Sequence, residues 1–219
     1  RTNSSGTVQV ITNQVEKRTY DLFGRLSDIG AATYRYDKQG NRTSVSKFGE
    51  GVSYEYDYNN LLTKVRKDGV TSEYEYNIDG VRSKKTVGGT ETKYYLDNGK
   101  ILGERGKRNI NYYYGKDELV GMEFSGKQYV YRYDIQGNVA LVYSVNRPRQ
   151  MARYEYDIFG NCTVYDENNK VNADPNFIGN INPFRWKGFY YDVESGLYYA
   201  NGSYYDPSTG LYVDAAPIE

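Results

Sequence analysis

The sequence predicts an all-β chain in which antiparallel hairpin repeats form one long, twisted, spiralling sheet. Three observations predict it. A tyrosine-centred phrase recurs at a spacing of 20 residues, as Tyr34-Arg35-Tyr36-Asp37, Tyr54-Glu55-Tyr56-Asp57 and Tyr74-Glu75-Tyr76-Asn77. The 23 glycines arrive about once in ten residues, too often for sustained helix. Apolar and polar side chains alternate with a period of two, and no window keeps apolar residues at i, i+3, i+4 and i+7. The 27 tyrosines supply the core, since each aromatic ring buries on the order of 150 to 250 Å² while its hydroxyl finds a partner.

Taken in order, residues 1–17 are expected to hold an N-terminal strand at the cut edge of the array, residues 18–166 the array itself, and residues 167–219 a distinct closing segment. The array has eight copies. A truncated first copy is Tyr20-Asp21-Leu22-Phe23-Gly24-Arg25, the second to fourth centre on Tyr34, Tyr54 and Tyr74, and degenerate fifth and sixth copies centre on Tyr94-Tyr95 and Tyr112-Tyr113-Tyr114. The seventh and eighth are Tyr131-Arg132-Tyr133-Asp134-Ile135-Gln136-Gly137-Asn138 and Tyr154-Glu155-Tyr156-Asp157-Ile158-Phe159-Gly160-Asn161. Tyr-x-Tyr puts both rings on one face of a strand, while Arg35, Glu55, Glu75, Arg132 and Glu155 point the other way. Asp37 followed by Gly40 fits a hairpin turn with its acceptor first and a left-handed glycine fourth. A return strand follows from Asn41, and Gly49-Glu50-Gly51, Asp68-Gly69, Gly88-Gly89, Asn98-Gly99 and Ser125-Gly126 are expected to join one copy to the next. One hairpin cannot bury its own tyrosine face, so successive hairpins stack and the sheet curls. The edge near Gly6 to Ile11 exposes unpaired amides, which predicts an edge-to-edge dimer or an N-terminal segment folded over it.

Beyond Tyr165, residues 166–182 are rich in asparagine and read as an irregular connection. A second phrase then appears twice, 14 residues apart: Tyr190-Tyr191-Asp192 leading to Gly196-Leu197-Tyr198, and Tyr204-Tyr205-Asp206 leading to Gly210-Leu211-Tyr212.

Composition narrows the chemistry. No histidine is present, which excludes histidine bases and histidine metal sites, and the single Cys162 can form neither an internal disulfide nor a thiolate cluster. The 28 basic and 28 acidic side chains cancel, so no single-sign field draws nucleic acid or an anionic membrane. No apolar run reaches the about 18 residues of a membrane span, and Arg1 opens the chain without an initiator Met or a signal-peptide core, as in a piece of something longer. Asp37, Asp57, Asp134 and Asp157 read as turn formers rather than a calcium row, because Asn77 serves in their place; neither metal nor cofactor is expected. The tyrosine stripe reads as core, with a carbohydrate platform as its alternative. The basic runs at Arg82–Lys85, Arg105–Arg108 and Arg147–Arg149 read as solvated surface.

The Tyr-x-Tyr-Asp-x-x-Gly-Asn copies resemble the YD repeats of bacterial Rhs and wall-associated proteins, found also in the C component of insecticidal Tc toxins and in animal teneurins. Residues 182–213 resemble the Rhs repeat-associated core segment, through Gly188-Phe189-Tyr190-Tyr191-Asp192 and Tyr204-Tyr205-Asp206-Pro207-Ser208-Thr209-Gly210. The resemblance implies a β-shell of secreted or cell-surface bacterial proteins, closed at one end by the core segment. It also implies that the polypeptide downstream, often a toxin, is held inside as a passenger. In several members an aspartyl-type self-cleavage just beyond the core frees that passenger. Asp206 matches the catalytic acid of that pattern, but Ala216 stands where a second acid is usual, Asp214 lies two positions before it, and Ser203 replaces the usual Arg. A methyl group cannot share a proton, so self-cleavage is not expected. The other function class left open is a surface module that binds glycan or contacts another cell.

Overall fold

A computed structural model describes residues 17–116 and 118–215. The predicted cut edge near Gly6 to Ile11 lies outside the described residues, as does Ala216. The first four hairpins are β1 (Arg18–Tyr20) with β2 (Leu26–Ile29), β3 (Ala32–Tyr36) with β4 (Arg42–Lys47), β5 (Glu50–Tyr56) with β6 (Leu62–Lys67), and β7 (Val70–Tyr76) with β8 (Arg82–Val87). The next four are β9 (Thr90–Asp97) with β10 (Lys100–Arg105), β11 (Ile110–Gly115) with β12 (Glu118–Phe124), β13 (Lys127–Tyr133) with β14 (Val139–Ser144), and β15 (Arg149–Tyr156) with β16 (Cys162–Tyr165). All sixteen strands form one antiparallel sheet in sequence order. The expected all-β hairpin sheet is therefore what the chain forms.

The turn chemistry explains the copies. In the second copy the Asp37 amide donates to Asn41 O at 2.9 Å and Gly40 donates to Asp37 O at 3.3 Å, closing a five-residue loop. In the third, Asp57 Oδ1 accepts the amides of Asn59 and Leu61, each at 2.9 Å. Asn77 does the same for Asp79 at 3.0 Å and Val81 at 2.9 Å, so the acid is there for its acceptor oxygen. Gly80 takes φ 73° at the fourth position, and Asn60 tolerates φ 63° at the same place. Asn98-Gly99 departs from expectation: it closes the fifth hairpin, where Asp97 pairs with Lys100, rather than joining two copies.

Curvature has a cause the sequence pattern did not show. In seven of the eight hairpins the register slips immediately after the turn, for example between Arg35–Ser44 and Tyr36–Arg42; only the eighth is regular. Each slip is a β-bulge, which bends its strand and adds twist. The bulge also leaves a carbonyl free, and in five of the seven the second tyrosine of the following copy satisfies it, Leu96 standing in that place in the fifth copy. Tyr56 donates to Arg42 O at 3.0 Å, Tyr114 to Ile101 O at 3.1 Å and Tyr156 to Val139 O at 2.7 Å, with Tyr76 on Leu62 O and Tyr133 on Leu119 O. The two tyrosines therefore differ: the first fills the core, and the second ties its copy to the one before.

The bent sheet winds back on itself. Arg18 in β1 lies over the ring of Phe159, in the turn of the last hairpin, at 5.5 Å, and its guanidinium donates to Thr209 O at 3.0 Å. Contact between the foot of the first copy and the turn of the eighth offsets the two ends along the strands, which makes a spiral rather than a closed barrel. Residues 166–215 fill the winding. Their short helix α1 (Ile178–Ile181) packs on β15 and β16. A second antiparallel sheet runs in order through β17 (Tyr190–Asp192), β18 (Leu197–Ala200), β19 (Ser203–Asp206) and β20 (Leu211–Tyr212). The core joins both parts, with Tyr112 edge-on to Phe184 at 4.8 Å and Tyr94 edge-on to Tyr190 at 5.6 Å.

Candidate functional site

The residue at each bulge faces inward. In the third, fifth, sixth and seventh copies it is Leu62, Ile101, Leu119 and Val139, but in the second and fourth it is Arg42 and Arg82, both with no exposed surface. A buried guanidinium must be paired. Arg82 pairs with Asp192, itself fully buried, and Arg42 pairs with Asp206 at 2.5 Å. The phrase repeated in the C-terminal segment thus presents one aspartate to each of two arginines that stand two copies apart.

Around Arg82 the pairing is a cluster. Lys85 Nζ reaches Asp192 Oδ1 and Glu194 Oε1, each at 2.8 Å. The rings of Tyr74, Tyr94, Tyr190, Tyr199 and Tyr204 surround the guanidinium at 4.4 to 5.8 Å, where their π faces favour a cation. Burial pushes Asp192 up, but the charges of Arg82 and Lys85 outweigh it and hold the carboxyl below its ordinary value. The run Arg82–Lys85 is therefore not the solvated surface expected of it. Residues 82 and 85 face inward to meet an acid more than a hundred residues away, and no local pattern carries that information.

Backbone contacts complete the seat. The Arg42 amide donates to Val213 O at 2.7 Å and the Val139 amide to Arg185 O at 3.0 Å, while the Arg82 amide donates to the Tyr199 hydroxyl at 2.9 Å. The asparagine of Gly-Asn docks the C-terminal segment in three copies. Asn41 Oδ1 accepts the Ala215 amide and Asn138 Oδ1 the Lys187 amide, each at 2.8 Å, and Asn161 Nδ2 donates to Pro207 O at 3.0 Å. Leu61 and Val81 take that place in the third and fourth copies. The asparagines were a usable signal, since they mark the copies where foreign backbone docks.

Of the residues singled out for cleavage, Asp206 and Asp214 have separate partners. Asp206 Oδ2 accepts from Arg42 and from Thr209 Oγ1 at 3.1 Å, and its Oδ1 accepts the Ser208 amide at 2.9 Å and hydroxyl at 2.6 Å. Asp214 Oδ1 accepts the Tyr204 amide at 2.8 Å, and burial raises its pKa. Among the described residues no cluster of acids, Cys or His suits a metal ion.

Glu104 is the acid that sequence reasoning overlooked. Only 7% exposed, it accepts the Tyr190 hydroxyl at 2.6 Å, and burial raises its pKa against the pull of that bond and of Lys85. The native state then holds the proton more tightly than the unfolded chain. Stability conferred by the protonated form is lost as pH rises from glutamate's ordinary value of about 4.3 through the raised one, at no more than about 1.4 kcal/mol per pH unit. Glu104→Gln keeps the acceptor without the charge. Its melting temperature is expected to match the parent near pH 4 and exceed it at pH 8; parallel curves across that range would contradict the assignment.

No family model matches the chain. Its sequence is 31% identical over 202 residues to the tRNA3(Ser)-specific nuclease WapA of Bacillus spizizenii, covering 88% of this chain and 8% of that protein. It is 30% identical, with the same coverage, to the tRNA nuclease WapA of Bacillus subtilis strain 168. Among solved structures, the TcdB2-TccC3-Cdc42 crystal structure aligns with 92% of the chain and 14% of its own at TM-score 0.57 and 15% identity. The Photorhabdus luminescens Tc holotoxin pore aligns with 85% of the chain and 12% of its own at TM-score 0.54 and 15% identity. The chain therefore has a fold found in Tc toxin chains, and it spans 8% of the length of the WapA nucleases its sequence is similar to.

Proposed function

We propose that the chain is the closing end of a YD-repeat β-shell, whose job is to enclose and present a passenger polypeptide that follows the core segment. One observation carries this reading: the curled sheet is stoppered by residues 166–215 through two buried Arg–Asp pairs. Such a pairing costs desolvation and adds little net stability, so its use lies in specifying one seat for the stopper. The WapA relatives are nucleases many times longer than this chain, which suits a toxin-class passenger and a secreted or cell-surface setting. No helix among the described residues is long and apolar enough to cross a membrane. Limited proteolysis of the longer polypeptide tests the reading. A passenger that resists protease in the intact protein and is digested once the shell is unfolded supports enclosure; equal digestion in both states refutes it.

Self-cleavage is not part of this proposal. Asp206 is committed to Arg42 and Thr209, and Ala216 brings no second carboxyl. The chain extended past Glu219 is expected to keep its intact mass after overnight incubation. A cut at that junction in the unmodified chain would overturn this.

A further inference from the structure

Three guanidinium groups are buried among the described residues, and only two of them have an acid. Arg42 and Arg82 pair with Asp206 and Asp192. Arg185, 5% exposed, makes no ion pair among the described residues. Its Nε donates to Asn182 O at 3.3 Å and its Nη2 to Asn180 O at 3.5 Å, both long bonds to neutral acceptors. The rings of Tyr191 and Tyr154 lie 4.8 and 5.8 Å from the group. Only two of the five N–H donors of a guanidinium are met by these bonds, and a buried cation without a counter-charge is costly. The residue is also fixed in place, since its carbonyl accepts the Val139 amide at 3.0 Å.

Arg185 lines a cavity of about 300 Å³ between strands β8 to β10, the loop after β10 and the C-terminal segment. Its charged lining is Lys85, Lys107, Arg108, Arg185, Glu104 and Glu194. Lys85 is taken by Asp192 and Glu194. Glu104 accepts the Tyr190 hydroxyl at 2.6 Å, and burial favours its neutral form. Arg108 donates to Pro175 O at 2.5 Å, again a neutral acceptor, and neither it nor the exposed Lys107 has an acid partner among the described residues. Three cationic side chains without acids therefore share one cavity, and Val87, Ile181 and Val193 add apolar wall beside them.

We propose that this cavity binds a small organic anion, whose carboxylate or phosphate group takes the Arg185 guanidinium and whose apolar body lies on Val87, Ile181 and Val193. The planar fork of a guanidinium matches either oxyanion through two parallel hydrogen bonds, and a buried surround strengthens them. The ligand supplies to Arg185 what Asp206 and Asp192 supply to Arg42 and Arg82, while Lys107 and Arg108 add attraction for the same sign of charge. The volume sits at the lower end of the range of about 300 to 1,000 Å³ usual for ligand pockets. At about 30 Å³ for each water-sized group it takes a molecule of roughly ten non-hydrogen atoms.

The test titrates the 219-residue chain, with methyl-labelled isoleucine and valine, against phenyl phosphate, 3-phenylpropionate and the neutral 3-phenylpropanol at low salt. Saturable shifts of the Val87, Ile181 and Val193 methyls with a Kd below about 1 mM are expected for at least one anion, and none for the alcohol. The tighter of the two anions then names the ligand's head group. Arg185→Lys keeps the charge without the fork and is expected to weaken binding at least about tenfold. Lys107→Glu, at an exposed position that leaves the core intact, is expected to weaken it at least about fivefold, and it decides the matter if the Arg185 variant fails to fold. Absence of saturable shifts with both anions, equal binding of the alcohol, or an unchanged Kd in Lys107→Glu overturns the proposal, and Arg185 is then held by its two carbonyls and flanking rings alone.

Discussion

Asp192→Ala is expected to destabilise the protein by about 3 to 5 kcal/mol, because it strands Arg82 inside the core without a counter-charge and leaves Lys85 only Glu194. For a chain of this size that corresponds to a fall in melting temperature of about 6 to 20 °C, read by calorimetry. The loss should also grow less severe as pH drops. Asp192 is held below its ordinary pKa, so its contribution is present above about pH 3.9 and is lost as pH falls through the lower native value. A loss under about 1 kcal/mol would show that the cluster is solvated in solution. The complementary experiment replaces Arg82, Lys85 and Asp192 together with leucine or methionine. Leu62 occupies the same place in the third copy without any acid, so the triple variant is expected to recover most of the stability while losing the mark that fixes the stopper's register.

The hairpins were legible in the sequence because their causes are local. Tyr-x-Tyr sets a face by strand alternation, Asp or Asn supplies one acceptor to two amides, and glycine or Asn60 accepts a left-handed backbone. The bulges were not legible, although seven copies share them, since no residue type is required for a register slip after the turn. The site was half visible. Asp206 and Asp192 stood out as a repeated phrase, yet their partners Arg42 and Arg82 look like ordinary surface residues of a return strand. Only the position after the turn, where Leu62, Ile101, Leu119 and Val139 are apolar, could have flagged them: a charge in an otherwise apolar column implies a partner elsewhere. The asparagine of Gly-Asn carried a similar hint, because its side chain faces the stopper in the second, seventh and eighth copies.

A chain ended at Tyr165 is expected not to fold as a cooperative unit. The ring faces of Tyr74, Tyr94 and Tyr112 would lose Tyr204, Tyr190 and Phe184, which pack on them at 5.1, 5.6 and 4.8 Å. Arg42 and Arg82 would sit unpaired on the same surface, and their bulge amides would lose Val213 O and the Tyr199 hydroxyl. A contiguous aromatic face of that kind recruits other copies, and unpaired sheet amides add to the hazard. The expected outcome is aggregation, or a compact state that binds a hydrophobic dye and melts without a sharp transition. Supplying residues 166–219 as a separate chain is expected to restore the transition, because the seat is made by packing and pairing rather than by the covalent connection through residues 166–177. A monodisperse truncated chain with a single sharp melt would show that the hairpin array closes on its own, and that the stopper is an addition to the winding rather than its core.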